Sequence, residues 1–276
     1  MSYFVEPGSI VRTIWAKSET VLLIFAGASA EFALHKTVDW LYFTGKLPQD
    51  PVGRLFSTVS YAQSIVFSHK AEALSSIDAI NHIHGQVEAK RGTTIPNWAY
   101  RDVLFMLIDY SIRGFELLNR KLTPLEKEEI FRVFMKVGKR MFIEDLPHDF
   151  ITSEAMRKES LKNHLEHSPL TKHLFGQYRK QLGPIHFQLL QAIQGQIVPE
   201  PVRRALHLKK YRIISPMINL YHLSRWFHLD RLIKDLLLPT CYKEQIQKLD
   251  WELSAQDKFR PILNKEFVPR QVSTTP

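Results

Sequence analysis

Cysteine is almost absent from this sequence, which has a single residue of that type, Cys241, among 276. One cysteine excludes an internal disulfide framework and fits a reducing compartment. It also excludes a Cys-x-x-Cys metal site, because Cys241 has no second cysteine near it. We therefore expect a cytoplasmic protein that folds without covalent cross-links.

Glycine is also scarce, with 11 residues, and no Asn-Gly or Asp-Gly pair separates runs of alternating polarity. Such pairs mark β-hairpins, so their absence argues against a β-rich fold. Hydrophobic residues make up 45% of the chain, which is enough for one large core. The sequence predicts an all-α fold, with one multi-helix domain over residues 7–240 and a polar C-terminal tail over residues 255–276.

No apolar run is long enough to cross a bilayer. The run from Val21 to Ala30 is interrupted by Glu31, well short of the roughly 20 residues that a span requires. The first 18 residues carry charges and a proline, which is atypical of a signal peptide. Within this run, the small residues from Ala26 to Ala30 would let another helix, or a flat macrocycle, approach the backbone closely.

Several chemical signatures are missing. The chain has no glycine-rich phosphate loop and no Gly-x-Ser-x-Gly turn, which excludes the common nucleotide-binding and hydrolase motifs. It has no Glu-x-x-His pair for a di-iron bundle, and its dispersed histidines do not suit tetrahedral zinc. The net charge of +9 is scattered. Nucleic acid is therefore not an expected partner, whereas weak attraction to an anionic membrane or an acidic redox partner remains open.

The most informative stretch runs from residue 50 to residue 87. Asp50 followed by Pro51 is typical of a helix start, with Asp50 as the N-cap. Arg54 and Thr58 are four residues apart and therefore share a face of that helix. They lie beside an apolar stripe, at the edge of the buried side.

A second helix is predicted from about Ala71 to Lys90. His84 falls in its apolar stripe, whereas His82 points about 160° away at roughly 100° per residue. An imidazole in an apolar environment is costly unless its nitrogens are engaged. His84 is therefore either a core histidine bonded to a carbonyl or a metal ligand.

The motif DPxGRLxxTxxY, followed by a helix that ends in xHxxV, resembles the MpaB and latex-clearing protein (rubber oxygenase) family. The N-terminal segment PGSIVRTIWAKSETVLLIFAGASAEFALHK is similar to the same family, and the likeness covers about residues 7–145. The resemblance implies an α-helical protein with haem b in a buried pocket between helices. It also implies oxidation of a lipophilic substrate by dioxygen, with His84 as the iron ligand and with Arg54 and Thr58 as catalytic residues.

The chain departs from the family pattern at three places. Lys36 follows His35 where proline is usual, and Asp109 or a neighbour stands where a histidine is often found. Ser57 replaces a lysine that can cap the iron in the rubber oxygenase. A serine cannot reach iron in the same way, so we expect an open or water-occupied distal face, and the resemblance does not decide between cleavage of carbon–carbon double bonds and another oxidation.

Cations are needed for the haem propionates, and Arg54, Lys90 and Arg91 are the candidates. Arg54 would also donate charge-assisted hydrogen bonds to oxygen or peroxide, with Thr58 orienting it. The expected partners are a lipophilic small molecule, dioxygen and an electron donor. The alternatives are a non-enzymatic haem carrier or sensor and a cofactor-free interaction protein.

Other parts of the chain carry weaker signals. Glu31 and His35 share a helix face and form either a polar pair near a cofactor or a structural pair. We expect Ser18 to cap the second helix and residues 36–49 to form a loop whose aromatic residues make a lid or a pocket wall. Thr123 starts a capping box, and Thr152 or Ser153 is expected to begin a later helix.

Overall fold

Helices dominate the computed structural model, which describes residues 2–45 and 49–210. Within these ranges there is no strand, and only two isolated bridges join Tyr3 to His69 and His35 to Leu165. The all-α prediction is confirmed. The predicted tail, Cys241 and the end of the predicted domain lie outside the described residues. The helices are α1 (Ile10–Trp15), α2 (Ser18–Phe32), α3 (Val38–Phe43), α4 (Pro51–Phe67), α5 (Lys70–Arg91), α6 (Asn97–Leu118), α7 (Pro124–Arg140), α8 (Phe150–Asn163), α9 (Pro169–Ile197) and α10 (Glu200–Ala205).

Helix α2 is the centre of the fold. It packs along α6 and also contacts α1, α4 and α9, while α4 and α5 pack against each other. The main core surrounds α2, and its largest fully buried side chains include Trp15, Ile24, Tyr110 and Phe131. No helix of the described part combines the length and the apolar character that crossing a bilayer would require.

Three helix starts follow from local capping. Ser9 Oγ accepts a hydrogen bond from the Val11 amide at α1, and Asp50 Oδ1 accepts one from the Gly53 amide at 2.9 Å at α4. At α7, Thr123 and Glu126 form the predicted capping box. These side chains satisfy backbone amides that the first helical turn leaves unpaired, and they act within three residues.

Three predicted boundaries are wrong. Ser18 is the first residue of α2 rather than its cap, and the N-cap residue, Lys17, makes no side-chain cap bond. Asp149 caps α8, because its carboxylate accepts the Thr152 amide at 2.7 Å. The connection from 36 to 49 contains helix α3, whose N-cap Thr37 makes no side-chain cap bond either. Contacts that are distant in the chain therefore hold α3 in place.

Helix α9 is kinked at Gly183, which directly precedes Pro184. Gly183 has φ 74° and ψ 169°, a conformation that L side chains rarely adopt, and helical residues continue on both sides. Pro184 cannot donate a backbone hydrogen bond, which is consistent with the break at this position. The kink separates two helical segments that would otherwise be collinear.

The small-residue segment of α2 is explained by close packing against α6. The Tyr110 ring lies directly over Gly27, so that a Cβ atom at Gly27 would overlap Cδ1 and Cε1 of the ring. Tyr110 is fully buried, and its hydroxyl donates to Glu31 at 2.9 Å. The close neighbour at Gly27 is thus a helix and not a macrocycle.

We expect Gly27→Ala to destabilise the protein by about 1–3 kcal/mol, because overpacking a filled core outweighs the gain of up to about 1 kcal/mol from helix propensity. Gly176→Ala on α9 is the matched control, since nothing lies within 4 Å of its Cβ position. That control should stabilise the protein by about 0.5–1 kcal/mol. Urea unfolding of both variants measures the effects, and a shift of the same sign in both would contradict this account of the α2–α6 contact.

Candidate functional site

Arg54 and Thr58 on α4 form a hydrogen-bonded pair. Arg54 Nη1 donates to Thr58 Oγ1 at 2.8 Å, and the threonine hydroxyl donates back to the Arg54 carbonyl at 3.1 Å. This reciprocal arrangement follows from their spacing of four on one helix face, as predicted. It fixes the direction of the guanidinium while leaving its other N–H groups available.

The guanidinium of Arg54 is partly withdrawn from water and has no carboxylate partner. Burial lowers the pKa of Arg54, and the nearby Tyr61 hydroxyl opposes that shift. Among the described residues, no Asp or Glu forms an ion pair with it. A desolvated cation without an anion is unfavourable. This arrangement is suited to receiving an anionic group of a ligand.

His84 lies on α5 near Arg54, and its ring is held neutral. Burial and, to a smaller extent, the positive charge of Arg54 lower the pKa of His84 to about 4, against the opposing effect of the Glu88 carboxylate. The Nδ1 atom is buried and has no hydrogen-bond partner among the described residues. His82, two residues earlier, is exposed and its Nε2 lies 2.8 Å from Gln86 Nε2. The opposite orientation of the two histidines agrees with the predicted periodicity.

Two residues beside His84 were not predicted from the sequence. The Tyr100 ring packs against the imidazole, with centroids 5.2 Å apart and planes inclined by 50°. Tyr100 donates its hydroxyl to Glu88 Oε1 at 3.1 Å, and the Ile95 amide donates to the same oxygen at 2.8 Å. Glu88 follows His84 by four residues, and that spacing was the only sequence signal for this arrangement.

The other two predicted cofactor-binding residues are placed differently. Lys90 is exposed at the end of α5. Arg91 Nη2 donates to Asp39 at 2.5 Å, and its guanidinium lies over the Trp40 ring, 4.1 Å from the centroid. The structure therefore brings together Arg54, Thr58 and His84, whereas Arg91 fastens α3 to the end of α5.

An apolar wall includes part of α4, the helix that carries Arg54. Leu55 and Phe56 pack against a second hydrophobic cluster, which is formed by residues at the end of α2 and in α3, α4 and α9. Its buried members are Ala33, Val38, Val52, Leu174 and Tyr178, and the other residues packed against it are partly buried. Tyr42 of α3 joins it and donates its hydroxyl to the Leu170 carbonyl at 3.1 Å. Of the aromatic residues of α3, Tyr42 is thus part of this wall, whereas Trp40 and Phe43 lie against the Arg91 guanidinium.

Glu31 and His35 act separately, although they share a face of α2. Glu31 is bound by Arg157 and by the Tyr110 hydroxyl, while His35 Nε2 lies 3.2 Å from Asp102 Oδ2. His35 Nδ1 lies 2.7 Å from the Thr37 hydroxyl. All of these partners are protein groups in the interior, so the two residues tie helices together.

A second histidine shares the Asp102 carboxylate. His164 Nδ1 lies 2.5 Å from Asp102 Oδ2, and the Trp98 ring stacks on His164 with centroids 4.1 Å apart. In the part of the chain that the structure describes, no group of three or more His, Cys, Asp or Glu side chains is arranged to hold a metal ion. An axial haem ligand requires only one histidine and is a different kind of site. The buried cofactor pocket between helices stays a prediction.

Comparison with known families agrees with the motifs in α4 and α5. Residues 15–227, well over half of the chain, match the family described as ER-bound oxygenase mpaB/B'/Rubber oxygenase, catalytic domain. The predicted family resemblance is thereby confirmed. No curated protein and no solved structure matches the chain.

Proposed function

The chain belongs to the family of mpaB-type and rubber oxygenase catalytic domains, and within it we propose a haem b-dependent oxygenase that acts with dioxygen on a lipophilic organic substrate. His84 would be the axial ligand of the iron. The observation that carries the proposal is the neutral His84 ring, whose buried Nδ1 has no hydrogen-bond partner among the described residues, close to the Arg54 cation, which has no carboxylate partner there either. A desolvated cation is costly unless an anionic group engages it, and a neutral imidazole is available to bind a metal.

The state of His84 fits a metal ligand. Metals bind the neutral imidazole, and a ring with a pKa of about 4 needs no deprotonation at neutral pH. A histidine that served only packing would place its nitrogens on protein acceptors or donors. Haem, when bound, would supply an iron centre that exchanges electrons with dioxygen.

Arg54 would bind the anionic part of the reaction centre. It keeps its charge, presents several N–H donors in a plane and is held by Thr58. Either a haem propionate or an oxygen atom that gains negative charge would satisfy it. Ser57 donates its hydroxyl to the Gly53 carbonyl at 3.3 Å and adds no long side chain at this position. Lys90 and Arg91 would contribute less, because one is exposed and the other is already paired.

The apolar wall beside Arg54 supports a lipophilic substrate. Partly buried apolar side chains gain free energy when a ligand covers them, by roughly 25 cal/mol per Å² of apolar area. Leu55 packs against this wall and is three residues before Thr58, so the two are neighbours on the surface of α4, and an apolar chain over Leu55 would pass close to Thr58 and its partner Arg54. An electron donor would be the further partner, recognised in part through the positive net charge of the protein.

The test is to purify the full chain, supplement it with haem and record the visible spectrum and the oxygen uptake with a reductant and lipophilic test alkenes. We expect a Soret band and consumption of oxygen. Arg54→Met should retain the Soret band and lose roughly 10²- to 10³-fold in turnover, as expected when one key donor is removed from a reaction centre. Lys90→Met is the control and should change neither.

Two outcomes would contradict the proposed function, and a third would contradict the role of Arg54. Absence of a Soret band after haem supplementation would refute haem dependence. A stable Soret band without oxygen uptake on any substrate would favour a haem carrier or sensor instead. Equal turnover in wild type and Arg54→Met would remove Arg54 from the catalytic set.

A further inference from the structure

Glu88 lies at the right place on α5 to interact with His84. The two residues are four positions apart, so their side chains share one face of the helix. His84 Nδ1 is buried and makes no hydrogen bond to Glu88 or to any other described residue. Both hydrogen bonds of Glu88 among the described residues go to Oε1, which leaves Oε2 without a donor.

The position of Glu88 is fixed from outside the helix. The Ile95 amide donates to Oε1 at 2.8 Å, and the Tyr100 hydroxyl donates to the same atom at 3.1 Å. The Tyr100 ring also rests against the His84 imidazole, with a centroid distance of 5.2 Å. One side chain of α6 therefore contacts both members of the His84–Glu88 pair. Such bracing reduces the rotamer freedom that each side chain would lose on ligand binding.

Iron bonded to His84 Nε2 would leave the ring proton on Nδ1, which then needs an acceptor. We propose that Glu88, held by Tyr100, is that acceptor and acts as the positioning residue for the iron ligand. This inference rests on the proposed haem function. A carboxylate that accepts from the second nitrogen of a ligating histidine fixes the ring orientation and raises its basicity. Stronger donation from the imidazole favours ferric over ferrous iron and tightens haem binding.

The experiment compares Glu88→Gln, Tyr100→Phe and wild type after haem reconstitution. The readouts are haem affinity by Soret titration, the iron reduction potential by spectroelectrochemistry and the iron–histidine stretching frequency of the ferrous protein. For Glu88→Gln we expect roughly 10- to 100-fold weaker haem binding, a higher reduction potential and a lower stretching frequency. Tyr100→Phe keeps the ring but loses the hydroxyl, and should shift each quantity in the same direction by a smaller amount.

Glu72→Gln is the matched control, because Glu72 is an exposed carboxylate in the first turn of the same helix. It should leave all three readouts at wild-type values. Glu88→Asp, which keeps the carboxylate, should recover part of the potential shift, an effect that a loss of packing would not produce. Thermal melting of the haem-free variants identifies any that fail to fold, and Tyr100→Phe then carries the test.

The two proposals fail in different ways. If wild type binds no haem, the proposed function is wrong, and the proposed role of Glu88 is wrong as well. If wild type binds haem but Glu88→Gln has the same affinity, potential and stretching frequency, only the role of Glu88 is overturned.

Discussion

Replacing His84 by alanine will abolish haem retention, whereas replacing His82 by alanine will leave it unchanged. The two histidines are two residues apart on α5, but His84 has a buried Nδ1 with no partner among residues 2–45 and 49–210, and His82 is exposed beside Gln86. Loss of an axial ligand should weaken haem binding by more than the roughly 100-fold limit that is typical of supporting residues. The difference between the variants therefore tests the orientation of the helix as well as the identity of the ligand.

The haem-free His84→Ala protein should remain folded. Alanine removes a polar atom that has no hydrogen-bond partner among the described residues, which is favourable, and also the ring that packs against Tyr100, which is unfavourable. We expect its free energy of unfolding to change by less than about 3 kcal/mol. Loss of haem would then reflect a lost ligand and not a lost fold.

The measurement is a haem titration followed at the Soret band, with the rate of haem transfer to an acceptor protein as a second readout. His84→Gly with added imidazole should recover the band, because a free imidazole can occupy the space of the missing side chain. A wild-type Soret band and haem transfer rate in His84→Ala would exclude His84 as the ligand. Equal losses in His84→Ala and His82→Ala would point to a general effect on α5.

Those features of the site that arise within one helix were predictable from the sequence. The Asp50 cap sets the start of α4, and a spacing of four brings Thr58 to Arg54. Helical periodicity likewise separates His84 from His82. Each of these relations depends on residues at most four positions apart, where backbone geometry alone determines which side chains meet.

Relations between helices were not predictable in the same way. The spacing of four between His84 and Glu88 was visible in the sequence. The hydrogen bond from the Tyr100 hydroxyl to Glu88 was not, because Tyr100 belongs to the next helix and its position depends on how α5 and α6 pack. Helix α3 was missed because it has six residues and no side-chain cap, and it is held by Arg91 and by the Leu170 carbonyl. Such short helices gain little from local propensity and form where tertiary contacts support them.

The clearest example of a long-range relation is Arg157, which no sequence pattern marked. It is 126 positions from Glu31 in the chain, yet Arg157 Nη2 donates to Glu31 Oε2 at 2.5 Å and Nη1 donates to Oε1. Its side chain is only 8% exposed and that of Glu31 only 2%. Asp109 Oδ2 also accepts from Nη2 at 3.4 Å. A buried, two-point ion pair thus links α2 to α8 through the centre of the domain.

Arg157→Met should destabilise the protein by about 3–5 kcal/mol, because it leaves the Glu31 carboxylate buried with the Tyr110 hydroxyl in place of a counter-ion. Burial lowers the pKa of Arg157, but the charge and hydrogen bonds of Glu31 outweigh that effect and raise it above its ordinary value. The arginine therefore stays charged at every accessible pH. At roughly 2–4 °C per kcal/mol for a large domain, the melting temperature should fall by about 6–20 °C.

Two comparisons separate the cost of an unpaired charge from lost packing. Arg132→Met breaks a surface pair with Glu128, in which Arg132 is 72% exposed, and should cost less than about 1 kcal/mol. The second comparison is the double variant that combines Arg157→Met with Glu31→Leu. It removes both charges and leaves no buried carboxylate unpaired, so it should be more stable than Arg157→Met alone. A double variant less stable than either single one would mean that the pair contributes through packing. If Arg157→Met has the same melting temperature as wild type, the ion pair does not hold α8 against α2.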